Sequence, residues 1–237
     1  VGRRLGQHFL KSESALRRIA EAACPDRESL VVEIGPGRGA LTTYLVERCE
    51  RLIAVEIDAA LATGLRERFP GVELVEGNVL DIDLAQWGPA AIVGNLPYYI
   101  TSPIVEKTLA SGFSRAVFLV QEEVADRLAA SPHTRDYGYL SVATQSQASV
   151  EKLFRVPASA FSPPPKVESA VVRLTPTAQR DPTFLRFVSS AFRWKRKTLR
   201  NNLRGEFPAI EALPEAGLRA EQLSVAQFKE LHARLIS

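Results

Sequence analysis

The stretch Leu30-Val31-Val32-Glu33-Ile34-Gly35-Pro36-Gly37-Arg38-Gly39-Ala40 decides the fold class. Its first five residues form an apolar run broken by one acid, the pattern of a short strand covered on both faces. Gly35-Pro36-Gly37 ends that strand in a turn, because proline fixes φ and glycine reaches backbone conformations closed to other residues. Leu41, Tyr44, Leu45 and Arg48 then recur near a 3.6-residue period, which predicts a helix over 40–48. Strand, glycine turn and helix together open a βαβ unit.

The rhythm continues outward from there. Further strands are predicted at 52–55, 72–75, 91–93 and 117–120, with helices at 59–69, 103–111 and 122–130. Such alternation implies an α/β fold with a doubly wound, mostly parallel sheet. After 148 the pattern changes. Residues 152–156 and 169–174 are strand-like, and the link from 157 to 166 is too short for a helical crossover. It suits an antiparallel edge that closes the sheet. Thr175-Pro176-Thr177 marks the expected boundary between a domain at 1–176 and a small all-helical domain at 177–237. Helices in the latter are predicted near 182–193, 195–204 and 224–235.

Composition narrows the class further. The chain has 237 residues, 46% hydrophobic and 24% charged, which excludes disorder as the main state. A chain of this length buries roughly 70% of its unfolded surface, so it needs no disulfide or metal staple. The longest uncharged stretch, 84–105, contains Pro89, Pro97 and Pro103 and cannot be a membrane helix. Cys24 and Cys49 form no C-x-x-C and are expected as free buried thiols in a reducing cytosol. No signal-peptide pattern stands at the start, so a cytoplasmic protein is expected. There is no methionine, which fits a sequence cut from a longer protein. His8, His133 and His232 are scattered without partners at ligand spacing, so no metal site is expected. Trp87 and Trp194 are expected to pack.

Charge is uneven along the chain. Residues 1–175 carry 19 Lys and Arg against 21 Asp and Glu, whereas residues 176–237 carry 11 against 6. A basic tail on a mildly acidic body points to a polyanion partner. The densest run is Arg193, Lys195, Arg196, Lys197, Arg200 and Arg204, with no acid among them; the alternative is a solvated helix face.

Two motifs carry the chemistry. Glu33-Ile34-Gly35-Pro36-Gly37-Arg38-Gly39 lets a ligand approach the backbone closely. Gly35, Gly37 and Ala40 also fit the dinucleotide pattern G-x-G-x-x-A. Glu56, 21 residues after Gly35, suits a ribose acceptor for NAD or for S-adenosylmethionine alike. The second motif, Gly94-Asn95-Leu96-Pro97-Tyr98, ends the fourth strand, at the sheet edge where ligands bind in doubly wound folds. It suits methyl transfer to an aromatic amine. Such a nitrogen is a poor nucleophile because its lone pair is delocalised. A sulfonium donor is reactive enough that no strong base is needed, only neutral acceptors that aim the nitrogen at the methyl group. The Asn95 side-chain oxygen and the Leu96 carbonyl can accept those N–H bonds, Pro97 fixes the turn, and Tyr98 can stack on a flat base. The acceleration is then positional and electrostatic.

Over nearly its whole length the chain resembles the KsgA-type rRNA adenine N6,N6-dimethyltransferases. The matching segments are Leu5-Gly6-Gln7-His8-Phe9-Leu10, Glu33-Ile34-Gly35-Pro36-Gly37, Glu56-Ile57-Asp58, Gly94-Asn95-Leu96-Pro97-Tyr98, Tyr137-Gly138-Tyr139-Leu140-Ser141-Val142, Phe161-Ser162-Pro163-Pro164-Pro165-Lys166-Val167 and Arg196-Lys197-Thr198-Leu199-Arg200-Asn201-Asn202-Leu203. The resemblance implies a class I methyltransferase (Rossmann-like) domain followed by a small helical one. It implies S-adenosylmethionine as donor, and as partners small-subunit rRNA and the immature small ribosomal subunit, met by a monomer away from any membrane.

Roles for single positions follow from the same resemblance. His8 and Leu10 would close over the methionine end of the donor, with Gly35 and Gly37 bordering it. Glu56 would take the ribose hydroxyls, and Asn78, where the family usually has Asp, the adenine amino group. Asn95 would sit between donor and target amine, while Tyr98 and Phe161 would sandwich the target adenine. Lys166 and the basic run Arg193, Lys195, Arg196, Lys197 and Arg200 would hold RNA. His8 replaces a frequent Asn, and Tyr99, where Asn is also frequent, receives no role. The rivals are a large-subunit rRNA methyltransferase of the erythromycin-resistance type, a non-catalytic RNA-binding descendant of the fold and an NAD oxidoreductase. Pro163-Pro164-Pro165-Lys166 and the intact Asn95 speak against them.

Overall fold

A computed structural model describes residues 8–236. In chain order these form β1 (Phe9–Leu10), α1 (Glu13–Ala23), β2 (Glu28–Ile34), α2 (Thr42–Leu45), β3 (Cys49–Glu56), α3 (Ala59–Arg68), β4 (Glu73–Glu76), β5 (Ala91–Asn95), α4 (Thr101–Leu109), β6 (Arg115–Gln121), α5 (Glu122–Ala129), α6 (Tyr139–Gln145), β7 (Ala148–Val156), β8 (Phe161–Ser162), β9 (Ser169–Pro176), α7 (Pro182–Ala191), α8 (Leu199–Leu203) and α9 (Val225–Ile236), joined by turns and short 3₁₀ segments.

Seven strands make one sheet in the order β4-β3-β2-β5-β6-β9-β7. β2 runs parallel to β3 and β5, β3 parallel to β4, and β5 parallel to β6. β9 runs antiparallel to β6, with β7 beyond it at the edge. This is the mostly parallel, doubly wound sheet with an antiparallel edge that the sequence implies. Val31, Leu52, Val93, Leu119 and Val171 join one apolar cluster with Leu16, Ile19, Ala20 and Ala23 of α1. Their neighbours Val32, Ile53, Ile92, Phe118 and Val172 are equally buried, so side chains on both sheet faces are covered. Helix α1 has no counterpart among the predicted elements. Its Leu16, Ile19, Ala20 and Ala23 stripe is nevertheless amphipathic, and Ser12 caps it by accepting from the Ala15 N–H at 3.4 Å.

The chain turns back at the centre of the sheet. β2, β3 and β4 are laid down in one direction, and β5 then returns to the other side of β2. The crevice at such a switch point, outside the carboxyl ends of the strands, is where open α/β sheets take ligands. Register puts Ile34 beside both Val55 and Gly94, Glu56 beside Glu76, and Asn95 beside Leu119. The segments that follow β2, β3, β4 and β5 therefore leave the sheet along one edge. Gly94 permits the closest approach of β2 and β5, since a Cβ there would lie 2.5 Å from the Ile34 carbonyl oxygen.

Three predicted elements differ. The helix expected over 40–48 is the single turn α2, because Arg48-Cys49 already leads into β3, where Cys49 pairs with Glu28. The helix expected over 195–204 is confined to α8, and residues 193–197 form turns. Thr198 there bridges to Arg219, and the Leu199 N–H donates to the Leu218 carbonyl at 2.7 Å, which diverts the chain. The expected division at 176 is also incomplete. The chain falls into two compact units, one built from the residues up to Ala125 with Ser149–Pro176, the other from Asp126–Ala148 with the residues from Thr177 onward.

Within the second unit, Tyr137 and Val142 share an apolar cluster with Phe184, Phe187, Leu203 and Phe228. The Tyr137 hydroxyl donates to the Leu223 carbonyl at 2.8 Å. Segment 126–148 thus belongs to the core of the C-terminal unit. Asp181 caps α7 by accepting from the Thr183 and Phe184 N–H groups at 3.0 and 3.1 Å, with Pro182 in its first turn.

Cys24 and Cys49 are free and buried, and burial pushes their thiols up to about 12 and about 11. Among the described residues, no helix is long and apolar enough to cross a membrane, and no group of three or more His, Cys, Asp or Glu could hold a metal ion.

Candidate active site

The glycine turn after β2 is shaped by backbone conformation. Gly35, Gly37 and Gly39 have φ of 67°, 58° and 77°, the left-handed region that side chains with a Cβ avoid. The turn is also covered from outside. A Cβ on Gly37 would meet the Phe9 ring at 3.1 Å, and the Arg38 guanidinium lies 4.5 Å over the centre of that ring.

Glu56 closes β3 with only 3% of its surface exposed. One carboxylate oxygen accepts from the Gly37 N–H at 2.9 Å, and the other accepts from the Asp58 N–H at 3.0 Å. Two backbone donors therefore fix the carboxylate, and each oxygen keeps a further lone pair. Glu33, buried beneath the turn, accepts from the Thr42 hydroxyl at 2.7 Å. Burial raises its carboxyl to about 7, with the Glu56 charge adding to that rise and the Thr42 bond opposing it. Asn78 follows β4 and accepts from the Leu80 N–H at 3.1 Å, capping a 3₁₀ turn. Its oxygen retains one lone pair and its NH₂ both hydrogens.

Asn95 ends β5. Its amide NH₂ donates to the His8 carbonyl at 3.0 Å, and its carbonyl oxygen has no partner among the described residues. The Leu96 N–H donates to the Leu119 carbonyl at 3.0 Å, and the Pro97 carbonyl accepts from the Ile100 N–H and the Thr101 hydroxyl, both at 3.1 Å. The turn is therefore rigid, as expected from Pro97. Tyr98 exchanges a hydrogen bond with the Ser169 hydroxyl at 2.8 Å, and its ring lies beside that of His8, 5.8 Å away at 24°. Burial raises the Tyr98 phenol above its ordinary value, so it stays protonated at neutral pH.

One cavity joins these groups. It is lined by the glycine turn, by Glu33 and Glu56, by Asn78, by Asn95 through Tyr98, and by His8 and Leu10. His8 and Leu10 reach it because β1 pairs antiparallel with β8, supported by the Lys11 N–H donating to the Ala160 carbonyl and by His8 Nδ1 at 2.8 Å from the Pro163 carbonyl. Every residue expected to hold a donor thus lines one space.

Phe161 departs from expectation. It is only 1% exposed, does not line the cavity, and packs in the apolar cluster with Leu10, Leu16 and Ile19. The cause is its register opposite Leu10 in the β1–β8 pair, which turns its phenyl ring into the core. In this structure Tyr98 and Phe161 therefore do not form a sandwich; the ring beside Tyr98 is His8.

Some lining residues escaped the sequence reading. Ile57, a large apolar side chain 52% exposed beside Glu56, is the clearest. Its signal was an apolar residue just past a strand's carboxyl end, where a solvated turn residue is usual. Phe9 stands inside the matching segment Leu5 to Leu10 but received no role there, and Leu80 had no signal of its own.

A family model described as ribosomal RNA adenine dimethylase matches residues 2–234. The chain belongs to that family. Among relatives, ribosomal RNA small subunit methyltransferase A of Acidobacterium capsulatum is 48% identical over 96% of this chain and 89% of its own length. The protein of the same name from Prosthecochloris aestuarii is 42% identical over 99% and 94%. Among solved structures, a dimethyladenosine transferase from Plasmodium falciparum superposes with a TM-score of 0.80 at 26% identity, covering 94% of this chain and 96% of that one. The 23S rRNA methyltransferase ErmE gives 0.75 at 30%, covering 97% and 100%. The sheet is accordingly the class I methyltransferase fold, and the chain is an rRNA adenine methyltransferase.

The cations expected to hold RNA in this dimethylase are all exposed, though not on one helix face. Arg193 is paired with Glu206 at 2.8 Å, and Lys195 donates to the Arg135 carbonyl at 3.2 Å. Arg196, Lys197 and Arg200 make no side-chain hydrogen bond or ion pair with the described residues. Lys166 is exposed in the segment between β8 and β9.

Proposed function

We propose that the chain transfers methyl groups from S-adenosylmethionine to the N6 amine of adenosines in small-subunit (16S) rRNA, giving N6,N6-dimethyladenosine during maturation of the small ribosomal subunit. The observation that carries this reading is the Asn95 oxygen. It has no partner among the described residues, borders the cavity and lies two residues before Pro97, which fixes the turn, while the amide's NH₂ is tied to His8. An acceptor held this way can take an N–H of the target amine and point the nitrogen lone pair away from it, toward the methyl donor. As the C–N bond forms, the sulfonium C–S bond breaks and releases S-adenosylhomocysteine. The nitrogen sheds one N–H proton only after that, when it is cationic and acidic, so no strong general base is required beforehand.

The donor fits the rest of the cavity. Glu56 is fixed by two backbone N–H groups yet keeps acceptor capacity for ribose hydroxyls. Ile57 offers an apolar face beside it, and Asn78 offers polar edges for a purine. The glycine turn admits the amino-acid end close to the backbone. S-adenosylmethionine supplies an electrophilic methyl group when bound; the protein aligns the two reactants and excludes water, effects worth several orders of magnitude in rate. Tyr98 supports the flat base. We assign the RNA grip to Lys166 and to Arg193, Lys195, Arg196, Lys197 and Arg200. A cytoplasmic monomer acting on immature subunits, without a metal, completes the proposal.

The test is incubation with labelled S-adenosylmethionine and either unmethylated small subunits or large subunits, followed by digestion to nucleosides. Labelled N6,N6-dimethyladenosine from the small subunit is expected. Label appearing only in large subunits would favour the erythromycin-resistance type of activity, and no label in either would leave an RNA-binding protein.

A further inference from the structure

Trp194 stands in the basic turn with 63% of its surface exposed, against the expectation that it packs. Its ring makes no aromatic or cation contact with the described residues, although the same unit contains a dense aromatic core of Phe184, Phe187 and Phe228. The backbone beneath it is fixed. The Trp194 carbonyl accepts from the Lys197 N–H at 2.9 Å and from Asn202 Nδ2 at 3.3 Å. Asn202 is itself buried and donates to the Ala191 carbonyl at 2.7 Å. A rigid turn thus presents an indole to water, flanked by Arg193, Lys195, Arg196 and Lys197.

We infer that Trp194 is a stacking platform for an unpaired rRNA base, while the neighbouring cations hold the adjoining phosphates. The inference rests on the assignment of this basic run to RNA. Single-stranded nucleic acid is gripped by this pairing of cations with aromatic rings, because each nucleotide offers both a charged phosphate and a π face. An exposed indole loses apolar burial, and a base restores it. Stacking releases no counterions, whereas phosphate contacts do. The two contributions are therefore separable by salt.

The experiment measures binding of unmethylated small-subunit rRNA, naked and in immature subunits, across a salt series. The proteins are wild type, Trp194→Ala, Trp194→Phe and a variant with Arg196, Lys197 and Arg200 reversed to Glu. Trp194→Ala should weaken naked-rRNA binding about 5- to 150-fold, the span of one base–aromatic stack, with an unchanged salt slope. Trp194→Phe should recover most of that loss. In a Trp87→Phe background Trp194 is the sole tryptophan, and its emission should be quenched when a short single-stranded oligoribonucleotide binds.

If Trp194→Ala binds naked rRNA like wild type and emission is unmoved, while charge reversal still weakens binding and flattens the slope, stacking is overturned and the basic footprint stands. If charge reversal also has no effect, the footprint itself is wrong. Loss confined to assembled subunits would assign Trp194 to a ribosomal protein and overturn the proposal as well.

Discussion

The sheet edge and the turn at 193–197 use opposite means to hold a ligand. At the edge three of the polar groups that line the cavity are tied to main chain. Glu56 is held by Gly37 and Asp58, Asn78 by Leu80, and Asn95 by the His8 carbonyl. In the turn the backbone is fixed, but Arg196, Lys197 and the Trp194 ring have no side-chain partner among the described residues. Methyl transfer depends on sub-ångström alignment, so its groups need enforced directions. Capture of a polyanion depends on a field, which exposed cations supply without any single geometry. The first arrangement should fail sharply when one atom is removed, and the second gradually with charge.

The largest expected effect tests the one residue that the structure moves from the reacting centre into the core. Phe161→Ala should cost about 3–5 kcal/mol of stability, the usual loss for a deleted core phenyl ring. Denaturant unfolding checks this. Full stability with lost activity would instead return Phe161 to the target base.

Next comes Asn95→Ala, which removes a positioned acceptor at the reacting nitrogen. Turnover should fall about 10²- to 10³-fold, in line with deletion of one preorganised hydrogen-bonding group, while melting is little changed. Single-turnover methyl transfer measures it; an undiminished rate would place the amine elsewhere.

The same contrast explains what was legible in the sequence. Glu33 through Gly39 and Gly94 through Tyr98 are contiguous, and each carries its own strand end and turn, so the fold and the segments that line the cavity could be read from short stretches. The direction of Phe161 is set by pairing with Leu10, far away in the chain, and local pattern holds no trace of that. Segment 126–148 joins the C-terminal unit through the Tyr137–Leu223 hydrogen bond and the apolar cluster around Phe187, again nonlocal. The basic run was visible as charge. Its turn shape was not, because the Thr198–Arg219 bridge that ends it comes from a distant residue.

Glu33 separates electrostatic cost from function. Its carboxyl is raised from 4.5 to about 7 in the folded protein, mainly by burial. The folded state therefore binds the extra proton between those values, and stability is fully present below pH 4.5 and lost as pH rises through 7. The loss should amount to about 3 kcal/mol. Glu33→Gln, which can still accept from Thr42, should abolish this pH dependence. Identical unfolding profiles for the two proteins from acid to neutral pH would show that the site is not desolvated as found.

Glu56→Ala should weaken S-adenosylmethionine binding by about 1.5–3 kcal/mol, the worth of hydrogen bonds to a charged group. The variant also strands the Gly37 and Asp58 N–H groups, so the glycine turn loses a brace as well as an acceptor. Calorimetry on the two proteins decides this, and equal affinities would remove Glu56 from the donor site.

The smallest single-residue effects, and the most informative sum, belong to the turn. Arg196 and Lys197 of the turn and the adjoining Arg200 of α8 are exposed and make no side-chain hydrogen bond or ion pair with the described residues, so reversing all three to Glu disturbs none of the bonds among those residues. A duplexed or stacked adenosine cannot enter a cavity at the end of a sheet, so the target must be flipped or already unpaired, at a cost of a few kcal/mol. Contacts to phosphates away from the cavity can offset that cost, and each one neutralised contributes roughly 0.7–0.9 to the slope of log affinity against log salt. Loss of up to three such contacts should lower the slope by about 2–3 and weaken binding most at low salt. Donor binding should stay as in wild type, because every group assigned to the donor lies in the first unit. If the three charges only solvate the turn, slope and affinity will both be unchanged, and the RNA footprint must then be sought around Lys166.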